Sequence, residues 1–212
     1  MDQIDTRQSL KVAAMRLFAE RGVEAVSVRD IILESGARNG GALNYYFGGK
    51  DGLVSEIVED IFRIQSKHWD DGLAKLLMSG GVKSVRDIIR ILVYSPPTLL
   101  PGEQTSTSTR VMASLLFTRR KFVADQINKL NLVVYSRLLT YMRELRPDIP
   151  TDVMQQRLVY VSWYLAVTRS AREAAEAEGG GARRLWTSAN SLGNLVDSAT
   201  ALIEAPLVDV LA

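Results

Sequence analysis

SVRDIILESGARNGGALNYYFGGKDGL, residues Ser27 to Leu53, is the stretch whose punctuation decides the fold. Ser27 and Asp30 make an S-x-x-D helix cap, Gly36 and Gly48 stand where a left-handed residue ends a helix, and Lys50 opens the next one. The spacing predicts two short helices joined by a tight turn and followed at once by a long helix. The second short piece, Gly40 to Phe47, carries Asn44, Tyr45 and Tyr46 side by side with almost no acidic charge around them. A small helix presented to DNA has this character.

Working outward, Asp5 and Gln8 form a D-x-x-Q cap, and Leu10, Ala13, Ala14, Leu17 and Phe18 recur at helical spacing, so a first helix runs from about Thr6 to Arg21. Val28, Ile31 and Ile32 share one face of the second helix and pack toward Phe18. Three helices this short bury too little apolar area alone, so they need the next element as a floor. That element starts at Lys50, where Leu53, Val54, Ile57, Val58, Ile61 and Phe62 form a stripe wide enough for burial, and continues through Trp69 to Met78.

The remainder keeps the helical period. Val85 to Leu92, Thr109 to Phe117, Lys121 to Leu145, Thr151 to Ala177 and Arg183 to Glu204 read as helices, broken by Pro96, Pro101, Pro147, Pro150 and the triplet Gly179-Gly180-Gly181. The expected fold is all-α with about nine helices: an N-terminal three-helix DNA-binding domain with a helix-turn-helix, residues 1–49, and a larger C-terminal helical ligand-binding and dimerisation domain, residues 50–212.

Composition excludes several classes. The balance of 26 Lys and Arg against 24 Asp and Glu rules out a polyanion-coating protein, so any DNA contact is local. Positive charge gathers at the front, in Arg7, Lys11, Arg16, Arg21, Arg29, Arg38 and Lys50. The absence of Cys removes disulfides and thiolate metal sites. No signal pattern opens the chain and no apolar run approaches the ~18 residues that span a bilayer, so a soluble, cytoplasmic protein without a membrane partner is expected. A single histidine, His68, with no G-x-S-x-G elbow, no metal-ligand spacing and no phosphate-loop G-K-[ST], argues against an enzyme and implies no cofactor and no metal.

In a helix-turn-helix the second helix lies in the major groove with its N-terminal residues on base edges. Here Arg38 suits guanine edges or a phosphate, Asn39 and Asn44 suit adenine edges or phosphates, and Tyr45 and Tyr46 can donate hydroxyls to phosphates. Gly40 and Gly41 permit close backbone approach, Ser27 and Lys50 are placed for phosphate, and Arg29 for a base or the backbone. Leu43 and Phe47, four apart and apolar, anchor the reading helix inward.

The helix end A-x-x-L-F-A-E-R-G at Ala14 to Gly22, then S-V-R-D-I at Ser27 to Ile31 and A-L-N-Y-Y-F-G-G-K-D-G-L at Ala42 to Leu53, resemble the TetR family of transcriptional repressors over about the first quarter of the chain. The resemblance implies an Ω-shaped homodimer in which each subunit has a three-helix DNA-binding domain, a fourth helix as connector, and a C-terminal domain with an inducer pocket and a dimer face. The chain has one more residue between Gly36 and Ala42-Leu43 than the common family spacing, which enlarges the turn. Asn44 stands where many members carry an aromatic.

On this reading the last two long helices supply the dimer face, with Leu158, Val161 and Leu165 on one and Leu192, Leu195, Val196, Ala199, Leu202 and Ile203 on the other. An aromatic-rich set with a few polar handles, His68, Trp69, Tyr94, Arg110, Met112, Phe117, Tyr135, Leu139, Tyr160, Trp163 and Tyr164, forms the candidate pocket for a hydrophobic or aromatic inducer. The function expected is a ligand-responsive regulator, a repressor that binds a palindromic double-stranded DNA operator as a homodimer. The alternatives are a helical ligand-binding or scaffolding protein without DNA activity, or an activator of the same family.

Overall fold

The computed structural model describes residues 5–96, 98–103, 105–130 and 133–207; residues 1–4 and 208–212 of the two expected domains fall outside it. Among the described residues there are eleven α-helices and no strand. They are α1 (Thr6–Arg21), α2 (Val28–Ser35), α3 (Ala42–Phe47), α4 (Lys50–Met78), α5 (Val85–Tyr94), α6 (Ser108–Thr118), α7 (Arg120–Leu130), α8 (Val133–Leu145), α9 (Thr151–Glu178), α10 (Gly180–Thr187) and α11 (Ser191–Glu204).

The expected count of about nine compares with eleven among the described residues. The stretch Lys121 to Leu145 is described as α7 and α8, with residues 131–132 between them outside the described residues. The glycine triplet separates less than its composition implies: only Gly179 takes a positive φ, 75°, and Gly180 and Gly181 already belong to the first turn of α10. One left-handed residue suffices to end a helix, so the other two are free to begin the next. The final helix then starts at Ser191 rather than Arg183.

The helices enclose two apolar cores threaded by α4. The first gathers Leu10, Leu17 and Phe18 of α1, Ile31 of α2, Leu43 of α3 and Leu53, Ile57 and Ile61 of α4, and it is closed by Val111 and Leu115 of α6 and Val123 of α7. Fully burying such side chains contributes ~1.5–3 kcal/mol each. The three front helices thus borrow apolar surface from well beyond residue 49. The second core joins Leu73 at the far end of α4 to Ile88 and Ile89 of α5, Leu138 and Met142 of α8, Leu158 and Val161 of α9 and Val196, Ala199 and Ile203 of α11.

Charged groups pin the layers. The buried Lys11 ammonium donates to Asp60 Oδ2 at 2.7 Å and pairs with Glu56, which also meets Arg7 at 2.5 Å, so α1 is tied to α4. A buried cation is tolerated because two carboxylates face it. Arg157, buried on α9, donates to the carbonyls of Ile203 (2.7 Å) and Pro206 (3.4 Å). It thereby satisfies acceptors left open where α11 ends.

Candidate DNA interface and the cavity behind it

The turn between α2 and α3 is built by local hydrogen bonding. At the start of α2, Ser27 Oγ donates to Asp30 Oδ2 (2.6 Å) and accepts from Asp30 N (3.2 Å), while Ser27 N donates to the same carboxylate (2.8 Å). These bonds hold the Asp30 carboxyl below its ordinary range, the hydroxyl of Ser27 first and its backbone N–H second. Ser27, expected at a phosphate, therefore has its hydroxyl engaged in the cap. Asn39 Oδ1 accepts from Gly41 N at 2.9 Å, and Asn39 O accepts from Ala42 N at 3.0 Å, which starts α3. Asn39 shapes the enlarged turn with its carbonyl oxygen and keeps its NH2 for a partner.

Helix α3 is six residues long and is held from inside and below. Leu43 is fully buried and Phe47 packs against the same core, as the spacing of four implied. Tyr45 is 83% exposed, whereas Tyr46 is partly buried against the core and meets Tyr45 edge to face at 5.0 Å. The two tyrosines thus divide the work expected of both: the Tyr45 ring is wholly outward and the Tyr46 ring half inward. Arg29, Arg38, Asn39, Gly40, Gly41 and Asn44 are exposed, Lys50 is half-buried, and no Asp or Glu occurs between Gly36 and Lys50. Arg29, Arg38 and Lys50 make no ion pair among the described residues.

Two further residues set this geometry. A Cβ at Gly52, on the first turn of α4, would lie 1.8 Å from the carbonyl oxygen of Phe47, so only glycine lets α3 end directly against α4. Arg119, the residue after α6, donates to Glu24 Oε1 (2.5 Å) and Oε2 (3.2 Å) between α1 and α2, and to Asp51 Oδ1 (2.5 Å) at the start of α4. This clasp lowers the Glu24 pKa, chiefly through the Arg119 hydrogen bond, and raises that of Arg119. Sequence reasoning missed both residues. Gly52 had a signal, being a glycine inside a strong helical period; the partners of Arg119 lie 95 and 68 positions away and leave no local trace.

Behind the interface, at the seam between the two cores, lies a cavity of about 200 Å³. Ile61, Phe62, Met112, Leu116, Val123 and Ile127 face it from the first core's side, and Trp69, Leu92, Tyr135 and Leu165 from the second's. Of the expected pocket set, Trp69, Met112 and Tyr135 line it, with the Trp69 and Tyr135 rings stacked at 5.6 Å. The other members lie elsewhere. Tyr94 borders a separate, more polar recess between α5 and α9, Leu139 and Tyr164 pack on the second core, and Arg110 is paired with Glu173. Phe117 and Tyr160 are exposed, Trp163 meets Phe117 edge to face at 5.1 Å, and His68 is outside the lining. Aromatic content alone does not distinguish a cavity wall from a core or an outer face.

The expected dimer residues lie mostly within the chain's own fold. Leu158, Val161, Leu165, Leu195, Val196, Ala199 and Ile203 are buried in the subunit's own second core, with Leu192 packed against it, and only Leu202, 37% exposed, retains a free face. Helical periodicity reports that a stripe is buried, not what buries it. The exposed apolar residues of α9 are Val159, Tyr160 and Val167.

Two short helices crossed by a turn, braced on a first helix and seated on a fourth, define a helix-turn-helix domain. Residues 11–57 match the family of bacterial regulatory proteins, tetR family, so the N-terminal unit is a helix-turn-helix domain of the TetR type. Two curated relatives from Mycobacterium tuberculosis, strains CDC 1551 / Oshkosh and H37Rv, are described as uncharacterised HTH-type transcriptional regulators. Each is 38% identical over 53 residues, which is 25% of this chain and 27% of the relative. The chain thus matches about a quarter of the length of these curated relatives. A crystal structure of a candidate transcriptional regulator from Rhodococcus sp. RHA1 is similar with 21% identity and a TM-score of 0.45, over 95% of this chain and 97% of that one. No described helix is long and apolar enough to cross a membrane.

Proposed function

We propose that the chain is a ligand-responsive transcriptional repressor that binds a palindromic operator as a homodimer and is released by a small apolar molecule. The observation that carries the reading is the acid-free tract from Gly36 to Lys50, which exposes Arg38, Asn39, Asn44 and Tyr45 while Leu43 seats it on the first core. Arg38, Asn39 and Asn44 read base edges, Arg29, Tyr45 and Lys50 hold phosphates, and Gly40 and Gly41 let the backbone approach. Two copies related by a two-fold axis place their reading helices about one helical turn of DNA apart.

Release follows from where the cavity lies. An occupant at the seam bears on the first core through α4 and α6, and the clasp of Arg119 on Glu24 and Asp51 carries a shift of α6 into the reading unit. Near-complete release requires the ligand to favour the DNA-free arrangement by ~5 kcal/mol. In fluorescence anisotropy with the DNA flanking its own gene, the protein is expected to bind selectively and with a strong salt dependence. The triple substitution Arg38→Ala, Tyr45→Ala, Lys50→Ala is expected to abolish that binding while moving stability by no more than ~0.5 kcal/mol per exposed site. Undiminished binding by the triple variant would refute the assignment.

A further inference from the structure

The polar groups lining the seam cavity are unevenly satisfied. Tyr135 and Ser162 pair through their hydroxyls at 3.2 Å, Ser108 meets Ser106 at 3.1 Å, and Thr109 Oγ1 donates to the Arg169 carbonyl at 3.4 Å. Gln65 Nε2 and Trp69 Nε1, in contrast, are buried with no hydrogen-bond partner among the described residues. An indole N–H is a donor only, so what Trp69 lacks is an acceptor.

Arg169 borders the same cavity. Its Nη1 donates to the Leu92 carbonyl at 3.0 Å, and among the described residues no carboxylate lies within ion-pairing distance of its guanidinium. Glu173, one turn along α9, is committed elsewhere. Its oxygens accept from Ser106 Oγ (2.9 Å) and from Thr109 N, Arg110 N and Arg110 Nε (3.2 Å each). Burial lowers the Arg169 pKa, against the opposing pull of the Glu173 carboxylate one turn along. Lys11, a buried cation close to α4, has two carboxylates in contact, and the buried Arg157 is held by two carbonyls where α11 ends. Arg169, part-buried, has one carbonyl and keeps the rest of its guanidinium beside the cavity, open to a further acceptor.

We infer that the seam cavity takes a compact apolar carboxylic acid in its ionised form, the carboxylate paired with Arg169, the hydrocarbon body against Phe62, Met112 and Leu116, and further acceptor atoms toward Trp69 and Gln65. At about 200 Å³ the cavity is smaller than the ~300–1,000 Å³ usual for small-molecule sites, which favours a single ring or a medium-length chain over a fused polycycle. A carboxylate fits the guanidinium because the planar fork donates two parallel hydrogen bonds. The inference rests on the ligand-responsive reading above and adds the chemistry of the ligand.

The test is calorimetric titration of the full chain with benzoate, phenylacetate, 3-phenylpropionate and octanoate, each against its primary amide, with release of operator DNA followed in parallel. At least one acid is expected to bind about tenfold more tightly than its amide, the scale of a charge-assisted hydrogen bond. Arg169→Gln removes that preference. Arg169→Lys, which keeps the charge, retains most of it and separates loss of charge from loss of fold. Equal binding of acid and amide, a preference that survives Arg169→Gln, or no binding by any acid overturns the inference. An acid that binds through Arg169 without releasing DNA sinks the induction reading and leaves the ligand chemistry standing; release by amides as effectively as by acids does the reverse.

Discussion

The reading end and the seam cavity lie along the same helix, α4, and are built to opposite standards. At the reading end the polar groups that shape the chain have partners: Ser27 and Asp30 close a capping box, Asn39 holds the turn, Lys11 sits between Asp60 and Glu56, and Gly52 lets two backbones touch. At the seam the opposite holds. Among the buried side-chain atoms without a partner in the described residues, those of Gln65 and Trp69 line the cavity; the others belong to Ser66 and His68 on the same stretch of α4 and to Gln126 on α7. Native interiors leave few such atoms, and clustering of this kind marks a region whose arrangement is not over-determined. A surface that must match DNA gains from a fixed shape, whereas a region that must respond gains from interactions still to be made.

The largest expected effect breaks the rigid side of this contrast. Gly52→Ala drives a methyl group into the Phe47 carbonyl, a backbone atom that no rotamer change moves away. Overpacking of this kind costs ~1–3 kcal/mol, and here it also displaces α3 from α4. Thermal unfolding is expected to show the loss, and anisotropy a fall in operator affinity larger than stability alone explains. Gly72→Ala is the control, since its added methyl would meet side-chain atoms of Ile91 only, Cγ2 at 3.1 Å, Cγ1 at 3.5 Å and Cβ at 3.7 Å, and no backbone. Equal behaviour of the two variants would mean that the close approach at Gly52 has no special part in placing the reading helix.

A smaller effect addresses the link between the two ends. The Arg119 clasp is partly exposed, with Glu24 and Asp51 side chains 55% and 82% accessible, so Arg119→Ala is expected to lower stability by under ~1 kcal/mol. Its measurable consequence lies in coupling: ligand still binds, but a saturating amount releases less DNA. The pH dependence has a definite sign. The Glu24 pKa is depressed in the folded state, so the clasp's contribution is complete above the unfolded carboxylate range and is lost as pH falls through the depressed value. Coupling is therefore expected to be flat around neutrality and to weaken only below the normal carboxylate range.

What was legible in the sequence was local. The caps at Ser27 and Asp30, the turns at Gly36 and Gly48 and the inward pair Leu43 and Phe47 are each specified within a few residues, and all three features appear in the structure. The seam cavity draws its walls from α4 through α9, so no short pattern encodes it, and only Trp69, Met112 and Tyr135 of the expected set reach it. Arg169 did leave a trace. It follows Leu165 by four positions, on the stripe that Leu158 and Val161 begin, and a charged residue continuing an apolar stripe points to a buried cation. The stripe on α9 and α11 has a related ambiguity, since periodicity fixes which face is buried and is silent about what covers it.

The smallest expected effect is the sharpest test of the softer region. In a close-packed core, adding methylenes costs ~1–3 kcal/mol because neighbours must leave their rotamers. Ala166 lines the cavity from α9, so Ala166→Leu places its added carbons in open space, where they gain apolar contact and lose only a few tenths of a kcal/mol of helix propensity. The unfolding midpoint is expected to stay level or rise, and operator affinity to remain that of the parent, while ligand binding and ligand-driven release disappear together. A stability loss as large as that of Gly52→Ala would show the seam to be as tightly determined as the reading end. Stability, DNA affinity and ligand response would then have to change as one property, where the proposed function separates them along α4.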